Sequence, residues 1–118
     1  MENNKQYIEF INTFQEERDF FKCHEILENI WIKETACNTK KHVSINLLLI
    51  SVGVLHWRNK NFKGALSVLR NSLNDYEEMR GEIEKIGIDS YKLKNLVEEL
   101  LIKISLNETY KEVYLPVF

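Results

Sequence analysis

Proline occurs once and glycine four times in 118 residues. So few turn formers exclude a flexible linker, and they disfavour a fold of many short strands relative to one of long helices. Cysteine is equally sparse. Cys23 and Cys37 form no CxxC pair, no charged leader with a cleavage site opens the chain, and free thiols in the cytoplasm are the expectation. Charge of one sign is lacking too: the formal net charge is −2 with 29% charged residues, which disfavours both disorder and a basic nucleic-acid footprint. Neither GxGxxG nor GxxxxGK[ST] occurs, so nucleotide binding has no support and no cofactor is expected. The longest apolar run, Val43 to Trp57, is fifteen residues bracketed by Lys40, Lys41 and Arg58, short of the about 20 a membrane span needs. A buried central helix is the better reading, with no membrane association.

What is present is helical periodicity. Tyr7, Phe10, Ile11 and Phe14 recur at i, i+3, i+4 and i+7, which predicts an amphipathic helix over 5–17 ending near Arg18 and Asp19. Asp19 then caps the helix carrying FFKCHEILENIW, residues 20 to 31. The apolar run supplies a third helix, with small residues in two stripes, Ser44 with Ser51 and Asn46 with Gly53, where neighbours could approach closely. Asn61 is placed to cap a fourth, FKGALSVLRNSLNDYEEMR. Gly87-Ile88-Asp89 breaks the chain before a last helix built on Leu93, Leu96, Val97, Leu100, Leu101 and Ile104. The sequence predicts an all-α fold, a single compact helical domain over 1–118 made of about five helices around the buried one. Residues 105–118 form an apolar tail that would dock on the bundle or on a second subunit. A self-comparison at an offset of 42 residues sets Phe20 on Phe62, Leu27 on Leu69 and Asn29 on Asn71. That echo would suit tetratricopeptide-like hairpin pairs, although a closed bundle remains the main reading.

The least ordinary residues lie in FFKCHEILENIW. At 100° per residue, Ile26, Ile30, Cys23, Leu27, Phe20 and Trp31 form one apolar arc with His24 and Glu28 on its shoulder, and Phe21 and Ile32 lie beyond Glu28. That flanking predicts a buried Glu28 carboxylate, satisfied first by His24 one turn back.

FFKCHEILENIW, followed by HWRNKNFKGALSVL and later GID, resembles the family catalogued as domain of unknown function 309, small all-helical proteins. The family's first block falls on Phe20, Phe21, Cys23, His24, Glu25, Glu28 and Trp31, and its second on His56, Asn61, Gly64 and Ala65. The resemblance spans roughly residues 7 to 104. It implies the fold, with Phe20, Phe21, Trp31, Asn61, Gly64 and Ala65 in packing roles, and it implies no activity. Two positions depart from the pattern: Leu49 stands where members often carry Gln, and Lys60 where they carry Gly.

His24, Glu25, Glu28 and His56 form the candidate polar cluster. Its main reading is structural, a satisfied buried group fixing helix register in a non-enzymatic interaction or structural module. The competing reading takes His24, Glu28 and His56 as a two-His, one-carboxylate metal set in a hydrolase, and a small-ligand pocket is the third. Among the weaker candidates, His42 is expected in solvent, Cys23 as an inert buried thiol, and Ser44 without triad partners. A protein partner or self-association is the expected mode of action.

Overall fold

The computed structural model describes residues 4–118, and within them the chain is all-helical. Helix α1, Asn4–Asn12, runs into a π-helical turn, Thr13–Glu17. Arg18 stops it in the left-handed region at φ 58° and donates Nη1 to the Phe14 carbonyl at 2.8 Å. Helix α2, Phe20–Thr35, starts where Asp19 accepts from the Lys22 amide at 3.0 Å. Helix α3, Val43–Arg58, packs on α2 along one flank and on α4, Phe62–Asn71, along the other. Helices α5, Tyr76–Ile86, and α6, Ser90–Ser105, complete the bundle, with Asp89 capping α6 through the amides of Tyr91 and Lys92.

Helix α3 is the centre because its apolar residues face several neighbours. Leu47, Ile50, Val54 and Trp57 are buried in a core that draws side chains from every helix. Gly53 is required there, since a Cβ at that position would lie 2.5 Å from Leu69 Cγ of α4. The stripe holding Asn46 and Gly53 is therefore a real line of close approach, though Asn46 serves it by a different means.

The stretch read as one fourth helix is two. Between α4 and α5 the chain turns at Ser72–Asp75, because Asn46 of α3, itself buried, donates its side-chain amide to the carbonyls of Ser72 at 2.8 Å and Asn74 at 3.0 Å. Those carbonyls would otherwise be orphaned by the break. Ser72 Oγ donates to the Leu69 carbonyl at 2.6 Å, and Asp75 sits at φ 56°. Residues 82–86 then belong to α5, with Ile83 fully buried.

After α6 the chain returns across the bundle. Trp57 Nε1 donates to the Glu108 carbonyl at 2.9 Å, Val113 and Leu115 are buried, and Ile88 pairs with Val117 in a single antiparallel bridge. No helix among the described residues is long and apolar enough to cross a membrane.

Candidate functional site

Helix α2 divides cleanly into two sides. Phe20, Cys23, Ile26, Leu27 and Ile30 are buried against α1 and α3. The Cys23 thiol bonds the Phe10 carbonyl at 3.8 Å, and burial pushes its pKa up to about 12, which leaves it an inert packing group. The other side faces outward. Phe21 and Ile32 are 58% and 47% exposed, and Glu25 is exposed.

The expectation of a sealed Glu28 carboxylate is corrected here. His24 Nε2 and Glu28 Oε2 do meet, at 3.7 Å, but their side chains are 30% and 50% exposed. With α1 and α3 packed on the buried side, the face bearing Phe21, Glu25, Glu28 and Ile32 is left exposed at all four positions among the described residues. Phe21 and Ile32 therefore flank the carboxylate without desolvating it, and Phe21 does not pack in the core. Its ring lies instead 5.9 Å from that of His24.

His24, Glu28 and Trp31 form one wall of an open cleft of about 670 Å³. Ile45, Leu48 and Leu49 of α3 line its apolar part, Asn74 and Asp75 of the α4–α5 turn face α2, and Lys40 and Lys41 stand at the rim. Each wall is held from behind. Trp31 Nε1 donates to the Thr39 carbonyl at 2.6 Å, which fixes the indole, and the two Asn46 bonds fix the turn. Both signs of charge meet at the mouth, with Glu28 and Asp75 against Lys40 and Lys41. The Lys41 ammonium is bonded to Glu78 at 2.5 Å, and that bond raises its pKa.

His56 is not part of this cleft. Asn61, the α4 cap, accepts from the Gly64 amide at 3.0 Å through Oδ1, which turns its Nδ2 toward His56 Nδ1 at 3.3 Å. The Asn61 backbone amide also donates to the His56 carbonyl at 2.7 Å. At Gly64 a Cβ would come within 2.5 Å of Asn61 Nδ2, and Ala65 beyond it is fully buried. His56, Asn61, Gly64 and Ala65 thus make one tight helix-to-helix turn. Among the described residues no group of three His, Cys, Asp or Glu side chains is placed to hold a metal ion. The set of His24, Glu28 and His56 is therefore not brought together.

One polar array lies outside the candidate residues. Read as solvent-exposed, His42 is half-buried and caps α3: its Nδ1 accepts from the Ser44 amide at 3.1 Å and lies 2.7 Å from Ser44 Oγ, while Nε2 lies 2.8 Å from Glu34 Oε1. Carboxylate, imidazole and hydroxyl follow one another as in a nucleophilic triad. Ser44 is fully buried, however, so no substrate reaches it and the array works as a cap. A His followed two residues on by Ser at the head of an apolar run was the available signal. Tyr7 and Met79 join Glu34 and His42 in lining a second cleft of about 480 Å³.

A sequence profile of the family described as Domain of unknown function (DUF309) matches residues 7–68, from α1 into α4. "Uncharacterized protein YpuF" of Bacillus subtilis (strain 168) is 31% identical over 113 residues, which is 96% of this chain and 64% of that relative. The chain therefore spans less than two thirds of that relative's length. No solved structure matches it. The matched segment holds the α2 and α3 walls of the cleft and the His56 turn, and leaves out Asn74 and Asp75.

Proposed function

The chain belongs to the DUF309 family, and we propose that it is a non-enzymatic interaction module that holds a segment of a protein partner in the cleft walled by His24, Glu28 and Trp31. One observation carries this. His24 and Glu28 are half-exposed and sit outside the core, yet they stand beside an indole locked in place over an apolar floor. A concave site with an apolar base and a few fixed polar groups is the ordinary form of a binding pocket. Phe21 and Ile32, exposed at either end of the same helix face, extend the contact surface. The mixed charges at the mouth suit a segment that carries both signs itself. The rival, a metal-dependent hydrolase on His24, Glu28 and His56, gains no support from the geometry, because His56 is engaged by Asn61.

The test is capture by the immobilised chain from a lysate of the organism that encodes it. The wild type is compared with His24→Ala/Glu28→Lys and with Lys94→Ala, which lies outside the cleft. A protein retained by the wild type and by Lys94→Ala but lost on the cleft variant is expected. A wild type that retains nothing the cleft variant loses contradicts the proposal.

A further inference from the structure

We propose that residues 108–118 are an exchangeable docking strap, and that the partner they fit is the same groove on a second copy of this chain. No residue of this groove lines the cleft, so the inference stands apart from the proposed function.

The strap is held as a bound peptide is held. Gln15 reads both backbone groups of one residue, donating Nε2 to the Leu115 carbonyl at 2.9 Å and accepting the Leu115 amide on Oε1 at 2.7 Å. Past it, the Asp89 amide donates to the Pro116 carbonyl at 2.8 Å and the Phe118 amide to the Gly87 carbonyl at 3.0 Å. Val113 and Leu115 are buried while Tyr114 between them points outward, the alternation of an extended strand laid on a surface. Arg18 adds a charge contact, Nη2 to Glu112 Oε2 at 2.7 Å, and stacks on the Tyr114 ring at 4.2 Å. Every one of these receiving groups comes from a helix or turn earlier in the chain, so the groove is a property of the bundle and any copy of the strap fits it equally.

What favours a second copy is the connector. The strap leaves α6 through a turn whose Asn107 sits in the left-handed region at φ 58°. Ile102 and Leu106, one turn apart beside it, are 62% and 66% exposed. Short connectors next to an exchangeable segment promote swapping. In an exchanged pair the two connectors run side by side, which covers these four side chains; the closed monomer leaves them in water.

Deleting Asn107 shortens the connector so that the strap no longer reaches its own groove. The variant is expected to run at twice the single-chain mass by light scattering with its helical circular dichroism retained. Adding Leu115→Asp, which spoils the strap, should return it to single-chain mass. A helical deletion variant of single-chain mass overturns the proposal, and so does a dimer that persists with Leu115→Asp. Should the deletion variant not fold, wild type refolded from denaturant at millimolar concentration carries the test. A double-mass fraction, absent from Leu115→Asp treated alike, is expected; a wild type without that fraction overturns the proposal.

Discussion

Asn46 ends one helix from inside another: its amide donates to the Ser72 carbonyl at 2.8 Å and to that of Asn74 at 3.0 Å, 26 and 28 residues further along. That one side chain sets where α4 stops and therefore where the far wall of the cleft stands. Replacing it by Leu keeps the volume and removes both donors. The loss should be about 1–3 kcal/mol, since the buried Ser72 carbonyl left unpaired carries a desolvation penalty, whereas that of Asn74 is only part-buried. Urea denaturation measures it, and the break between α4 and α5 should become the first region to lose amide protection.

Gly53→Ala tests the close approach of α3 and α4. The new methyl would meet the Leu69 side chain at 2.5 and 2.6 Å, and Leu69 is fully buried. A cost of about 1–3 kcal/mol is expected for such overpacking, read as a drop in denaturation midpoint. Leu69→Ala should cost less in this background than in the wild type, because the added methyl then occupies volume the shorter side chain has released.

Lys60→Gly should stabilise. Lys60 lies in the left-handed region at φ 65° with its side chain exposed, a conformation in which a Cβ is costly and glycine is not. The relief exceeds the extra freedom glycine gains in the unfolded chain, so a gain of roughly 0.5 kcal/mol is expected in thermal melts.

Glu84 predicts an acid dependence. Its carboxylate accepts the Ser90 hydroxyl at 2.7 Å and the Ser90 amide at 3.0 Å, and these bonds hold its pKa below the usual carboxylate range. A folded pKa lower than the unfolded one contributes stability that is full above the unfolded value. It is lost as pH falls through the folded one. The difference in melting temperature between wild type and Glu84→Gln should therefore be largest near neutral pH and close in acid.

Local chemistry made much of this fold legible. Asp19, Asn61 and Asp89 cap the helices their side chains suggest, and the apolar run of α3 lies where its length and small residues put it. Long-range partners hid the rest. Ser72–Asp75 carries ordinary helical periodicity, and only a side chain 26 residues earlier ends the helix there. His42 caps with an imidazole, which is not among the ordinary N-cap side chains. Phe21 and Ile32 flank Glu28 in the helical pattern, but with α1 and α3 packed against the other side of α2 these two residues remain in solvent and leave the carboxylate exposed.

The account rests on His24 and Glu28 serving recognition rather than folding, and the unfolding free energy of the double variant His24→Ala/Glu28→Ala measures that directly. An exposed pair at 3.7 Å contributes little, so the variant should unfold within about 1 kcal/mol of the wild type. A loss of more than about 2 kcal/mol would place the pair in the structural framework and contradict the assignment of the cleft as a binding site.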